Sequence, residues 1–227
     1  MQDRFGPVQL RPEGTLTVKS GVRPPPARTL RRTVLFADLR GYTGFAERVA
    51  PAQLVPMLDE FFDVLAGVGI SNGGTIYYMA GDGMMAGFGG PDQQREGARE
   101  ALAAGHEMLQ RFRTVAARWR DAFSIDSGIG VGLHMGEVAI GLLGPPGHKS
   151  PTLVGDTVNV AARLCSRARA GEVLLSCTVA AALEIDRSER ELKVGPIPVL
   201  HLPQFALRGR TAPLDIWCVP ATERAAL

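Results

Sequence analysis

Two aspartates, Asp38 and Asp82, sit at a strand end and in a hairpin turn, where a pair of carboxylates could share a cation. Asp38 lies near the end of the apolar run Thr33–Leu39 (TVLFADL), and Asp82 lies in Ala80-Gly81-Asp82-Gly83 between two short apolar runs. The first run reads as a buried strand, and the pair of runs reads as a hairpin with Asp82 in its turn. If that strand pairs beside the hairpin, the two carboxylates come within a few ångström although 44 positions separate them. Close carboxylates repel unless a cation lies between them, and hard oxygen ligands select Mg²⁺ or Mn²⁺. Taken singly, each aspartate is better explained as capping a turn or a helix; it is the pair that points to a cation.

Two further segments carry polar groups aimed at charge. Arg40-Gly41-Tyr42-Thr43-Gly44 follows Asp38 and precedes a helical pattern. Glycines there let the backbone approach an anion, and a helix N-terminus presents N–H groups to it. In Gly155-Asp156-Thr157-Val158-Asn159-Val160-Ala161-Ala162-Arg163, a predicted helix sets Asn159 and Arg163 one turn apart on one face. Val158, Ala161, Ala162 and Cys165 are left to face a core. A surface arginine beside a capping amide would give the same spacing.

The elements that must position these groups follow from periodicity. After the first strand, Leu54, Leu58, Phe61, Phe62, Leu65 and Val68 form a helical stripe. Pro51 suits its first turn, whereas Pro56 is expected to kink or delay it. Thr75–Met79 and Met84–Phe88 form the hairpin. A second helix is expected from Asp92 to about Arg120. Ile125–His134 and Glu137–Leu142 read as two strands separated by a turn at Met135-Gly136. Thr152–Val154 is a short strand, 156–169 a helix, Val173–Ser176 a strand, and an Ala-rich helix follows. The tail alternates strands and prolines to Val219. The order β-α-β-β-α-β with a C-terminal α/β extension is that of an α+β, ferredoxin-like fold: a mostly antiparallel sheet with helices on one face.

Bulk properties narrow the class. The chain has 227 residues, 45% hydrophobic, with a net charge of +2, which speaks against a dedicated nucleic-acid binder. Residues 1–30 include GVRPPPAR and read as a basic, Pro-rich arm or linker; the domain is expected over 31–220, with a short tail over 221–227. The three cysteines form no C-x-x-C pair and the histidines no zinc spacing, so free thiols are expected. No apolar run reaches the ~18 residues of a membrane helix, and MQDRFGPVQL has no signal-peptide core. A cytoplasmic protein is expected.

Phe36–Thr43 (FADLRGYT), Gly81–Phe88 (GDGMMAGF) and Gly155–Leu164 (GDTVNVAARL) resemble, in order, the three characteristic segments of class III adenylyl and guanylyl cyclases. The likeness extends over roughly 31–220. It implies that Asp38 and Asp82, with the main chain at Leu39, hold two Mg²⁺ or Mn²⁺ ions per site. It also implies that the backbone around Gly41, Tyr42 and Thr43 holds phosphates, that Asn159 orients the ribose and that Arg163 meets charge on the α-phosphate. A basic residue near the C-terminal strands grips the terminal phosphates in such enzymes, and Arg208 or Arg210 is the candidate. The family builds each site from two subunits, so a homodimer with shared sites is implied.

One departure lies in the base pocket. The family's adenylyl members commonly place a Lys four residues before the second metal aspartate; here that position is Tyr78, while Thr152 fits the second base-reading position of a bacterial adenylyl subtype. Guanylyl members typically use Glu and Cys at these positions. The implied reaction is closure of a nucleoside triphosphate, ATP first, to a 3′,5′-cyclic monophosphate and pyrophosphate. Two alternatives fit the same motifs: a cyclase for GTP, CTP or UTP, and a silent cyclase-like module that binds nucleotide and regulates a partner.

Overall fold

The computed structural model describes residues 8–10, 16–18, 26–90, 92–145, 148–186, 191–205 and 214–221. Two short strands, β1 (Val8–Leu10) and β2 (Leu16–Val18), pair antiparallel ahead of the main body. The main body opens with β3 (Arg28–Arg40), α1 (Tyr42–Ala46), α2 (Pro51–Ser71), β4 (Thr75–Ala80), β5 (Gly83–Phe88), α3 (Gln94–Phe123) and β6 (Gly128–Leu143). It continues with β7 (Ser150–Val154), α4 (Asp156–Arg167), β8 (Val173–Ser176), α5 (Cys177–Ala182), β9 (Glu191–Val194), β10 (Ile197–Phe205) and β11 (Leu214–Val219).

One sheet joins strands in the order β4-β5-β3-β6-β8-β11-β10-β9, with β7 paired to β6. The first four are the β-α-β-β-α-β core, all antiparallel, and β8 adds parallel to β6. The sheet has two working faces because side chains alternate along each strand. Leu35, Ala37 and Leu39 of β3 point to the face covered by α2 and α3, where Phe61, Leu65, Met108 and Phe112 complete the main core. Val34 points to the other face, with Met85, Val138 and Leu153, and there it meets Ala161 of α4. Helices therefore cover both faces, and the expectation of a single helical face fails at α4.

A stripe of glycines explains how α4 lies so close. Gly128, Gly130 and Gly132 alternate along β6 and share one face. A Cβ on Gly132 would stand 2.5 Å from the Ala161 carbonyl oxygen and 2.8 Å from the Cα of Cys165. One on Gly128 would stand 2.8 Å from the Cβ of Ala170. The helix backbone rests directly on the sheet where β6 has no side chains.

Two local readings change. β6 is one continuous strand of 16 residues through Met135 and Gly136, because both remain paired with β3 at Thr33 and Arg32. Gly136 is small for packing rather than for turning: a Cβ would stand 2.5 Å from Thr157 Oγ1, which donates to the Glu137 carbonyl. Helix α2 also runs through Pro56 without ending. The proline is exposed and forfeits one backbone hydrogen bond, to the Ala52 carbonyl, which a 21-residue helix packed along its other side tolerates.

Candidate active site

Asp38 lies on β3 directly opposite Gly83 of β5, and Asp82 precedes that glycine in the β4–β5 turn. The Leu39 N–H donates to the Asp82 carbonyl oxygen at 2.9 Å, which ties the strand end to the turn. A Cβ on Gly83 would stand 3.4 Å from Asp38 Oδ1, so this oxygen looks toward the turn. Burial pushes the Asp38 carboxyl above its ordinary value; Arg40 opposes the shift and the negative charge of Asp82 adds to it. The negative charge of Asp82 thus bears on Asp38 across the strand end and the turn. Leu39 itself is buried in the core, which leaves only its main chain to face a ligand.

Arg40 is the residue that sequence reasoning missed. By sequence it belongs to the glycine loop, yet its guanidinium turns back and forms an ion pair with Asp38 Oδ2. It also donates to the carbonyls of Cys165 and, at 3.0 Å, Ala168, at the end of α4. The signal was present: an Asp and an Arg two apart on a strand share a face.

Gly41 has φ +80°, a left-handed conformation that favours glycine, and it starts the short α1. Phe45, buried, anchors α1 by edge-on contacts with Tyr42 at 5.2 Å and Trp119 of α3 at 6.1 Å. Trp119 in turn donates from Nε1 to Glu60 of α2 at 3.0 Å. Tyr42 is half-buried, whereas Gly41 and Thr43 are exposed beside Asp38 and open to a ligand.

On α4, Val160, Ala161, Leu164 and Cys165 are buried against the sheet. Asn159 and Arg163 stand two residues before Ala161 and Cys165, about 200° around the helix. They point away from the sheet that carries Asp38. Asn159 is exposed and Arg163 half-exposed. Among the described residues, the Arg163 guanidinium has no hydrogen bond or ion pair. The Asp38–Asp82 pair and the Asn159–Arg163 pair therefore face different ways.

Tyr78 is 51% exposed on β4, so it is not a core tyrosine within the chain. A bulge between Ile76 and Tyr78 sets Tyr77 in the cluster of Val34, Val138 and Leu153 and leaves Tyr78 opposite Met85. β7, which carries the half-buried Thr152, lies beside β4, and Leu153 and Tyr77 both approach Gly87. The strands bearing both base-reading candidates are thus neighbours. Arg208 and Arg210 lie outside the described residues.

The donor set fits the expected cations. Asp38, Asp82 and the Leu39 main chain offer hard oxygen atoms, with remaining positions left for phosphate and water, the habit of Mg²⁺ and Mn²⁺. Arg40 already pairs with Asp38 Oδ2, which leaves Oδ1 as the carboxylate oxygen open to a cation. Among the described residues, no helix is long and apolar enough to cross a membrane.

Comparison with known proteins gives a family and a fold. The family model "Adenylate and Guanylate cyclase catalytic domain" matches residues 26–203. The chain is 29% identical to an adenylate cyclase of Anabaena cylindrica over 68% of its length. It is 28% identical to adenylate cyclase 1 of Rhizobium meliloti over 85% of its length. It spans only 30% and 28%, respectively, of those relatives. Its fold superposes on the adenylyl cyclase CyaB from P. aeruginosa with a TM-score of 0.77 and 25% identity, covering 89% of this chain and all of that one. The guanylyl cyclase Cya2 gives a TM-score of 0.72 at 29% identity, covering 88% of this chain and 96% of that one.

Proposed function

The chain belongs to the adenylate and guanylate cyclase catalytic-domain family, and from that premise we propose that it converts ATP to 3′,5′-cyclic AMP and pyrophosphate at two sites shared across a homodimer. The observation that carries this reading is the split between the half-sites. Asp38 and Asp82 meet at one sheet end, while Asn159 and Arg163 project from α4 away from it. A second copy, turned head to tail, would bring its α4 to the carboxylates of the first, and a two-fold axis makes both sites alike.

The reaction is in-line attack of the ribose 3′-hydroxyl on the α-phosphorus, with pyrophosphate leaving. Asp38, Asp82 and the Leu39 main chain would hold Mg²⁺ or Mn²⁺, two per site. Bound there, the ions supply charge neutralisation for the triphosphate and ease loss of the 3′-hydroxyl proton. The main chain at Gly41, Tyr42 and Thr43 lies along the phosphates, held by Phe45 against Trp119. Asn159 hydrogen-bonds the ribose and fixes the attack direction. Arg163 stabilises charge gathering on the α-phosphate, a role whose removal typically costs about 10²–10³ in rate. Arg208 or Arg210 takes the terminal phosphates.

Tyr78 and Thr152 read the base. Thr152 favours adenine, and both matched curated relatives named above are adenylate cyclases. Tyr78 in place of a lysine is the observation that favours a different base. A panel of ATP, GTP, CTP and UTP with Mn²⁺, the products separated by liquid chromatography, tests the proposal. Cyclic AMP as the main product supports it. Another cyclic nucleotide as the main product overturns the ATP assignment, and no cyclic product overturns catalysis.

A further inference from the structure

We propose that Arg40 is a positioning residue that locks the Asp38 carboxylate and the C-terminal end of α4 into one unit, so that cation binding at Asp38 is felt along α4. Arg40 ends β3 on the same face as Asp38, two residues earlier. Its fork divides between two structures. Nη1 takes Asp38 Oδ2, while Nη2 and Nε take the carbonyls of Cys165 and Ala168. The Cys165 carbonyl lies in the last turn of α4 and the Ala168 carbonyl follows at its C-cap, the end of the helix that carries partial negative charge.

The fold makes room for this arrangement. Gly130 lies directly opposite Asp38 on β6. A Cβ there would stand 2.6 Å from Arg40 Nε and 2.8 Å from the Ala168 carbonyl oxygen. The guanidinium thus runs through a slot that a side chain on β6 would close. Only 22% of its side chain is exposed.

A helix cap alone would not need the carboxylate. By holding Oδ2, Arg40 leaves Oδ1 turned toward Gly83 and the turn of Asp82, the direction from which a cation shared by both aspartates would bind. The planar fork fixes the rotamer of Asp38 in a way the point charge of a lysine does not. α4 also carries Asn159 and Arg163, so the same latch ties the carboxylate of one half-site to the reactive face of the other. In the shared dimer these half-sites serve different catalytic centres, and Arg40 becomes the link between them. That last step rests on the dimer reading above; the latch itself does not.

The test uses the 227-residue chain carrying Arg40→Lys or Arg40→Gln. Lysine keeps the charge and loses the fork; glutamine loses both. Mn²⁺ binding without nucleotide is followed by the resonance of free Mn²⁺, and backbone hydrogen exchange over residues 164–168 is read by mass spectrometry with and without saturating Mn²⁺. In the wild type, Mn²⁺ is expected to change exchange in this segment. In both variants the change is expected to shrink by about fivefold or more, and kcat to fall about tenfold or more with the nucleotide KM within about threefold, as loosened positioning predicts. Arg40→Lys covers the case in which Arg40→Gln fails to fold. A wild-type α4 indifferent to bound Mn²⁺ overturns the proposal, and so does an Arg40→Lys chain with wild-type exchange response and kcat. Because the exchange measurement needs no turnover, a wild type that makes no cyclic product contradicts the proposed function without deciding the latch.

Discussion

Replacing Gly132 by alanine adds one methyl group to the chain and should dislodge α4, the helix that carries Asn159 and Arg163 of the proposed site. The new Cβ would collide with the Cys165 backbone nitrogen and stand 2.5 Å from the Ala161 carbonyl oxygen. Both atoms are α4 main chain, so no side chain can rotate away. The helix must lift by about an ångström to restore contact distance. Overpacking of this kind costs about 1–3 kcal/mol, and backbone on the receiving side argues for the upper half. Alanine also stiffens the unfolded chain, which returns about 0.4–1 kcal/mol. The net loss is therefore about 2 kcal/mol. A chain of this size shifts Tm by about 2–4 °C per kcal/mol, so Gly132→Ala should melt about 4–8 °C lower. Gly67→Ala is the matched control. Gly67 is exposed within α2 with nothing within 4 Å of its added Cβ, and the change should stabilise by about 0.5–1 kcal/mol. Thermal unfolding followed by circular dichroism measures both. A Gly132→Ala protein as stable as the wild type would refute direct seating of α4 on β6. The folded variant should also lose cyclase rate about tenfold or more, because Asn159 and Arg163 ride on the displaced helix.

Tyr78→Phe should leave Tm within about 1 °C, since the ring is half-exposed, while blunting the preference between bases by the worth of one hydrogen bond, about 0.5–1.5 kcal/mol. Tyr78→Lys should sharpen selection for ATP, and kcat/KM for four nucleotides checks both variants; an unchanged ranking would remove Tyr78 from base reading. Thiol titration of the native chain should find Cys177 reacting first. Cys165 and Cys218 are buried, and burial pushes each thiol up to about 12. These two groups are protonated in both states below about pH 8.5, and between there and pH 12 only the unfolded chain releases their protons. Their contribution to stability is thus complete at neutral pH and declines as pH rises through that window, which urea midpoints at pH 8 and pH 10.5 would register.

The core strands were legible because each alternates or runs apolar between glycine punctuation. β4, β5 and β8 fall within a residue of their expected bounds. β6 was read as two strands because Met135-Gly136 looks like a turn, and only its pairing with β3 and the contact of Gly136 with Thr157 explain why it runs straight. The side of the sheet taken by α4 is a long-range choice that no local pattern states. The alternating Gly128, Gly130 and Gly132 were its trace in the sequence, since glycines on one face of a strand mark close backbone approach. The neighbourhood of Asp38 and Asp82 was foreseeable from strand end and hairpin turn. The capture of Arg40 by Asp38 was obscured by the glycines that follow it, which suggested an anion loop.

Mixing chains of Asp38→Ala with chains of Arg163→Ala tests the composite site most directly. Each variant alone should be inactive, because every site in its homodimer lacks either a metal carboxylate or the arginine. After subunit exchange about half the dimers are mixed, and each mixed dimer has one of its two sites intact. Cyclic nucleotide production should therefore return to about a quarter of the wild-type rate per chain. Mixtures that stay inactive after exchange has been demonstrated would contradict shared sites, and substantial activity in either variant alone would contradict the roles given to Asp38 and Arg163.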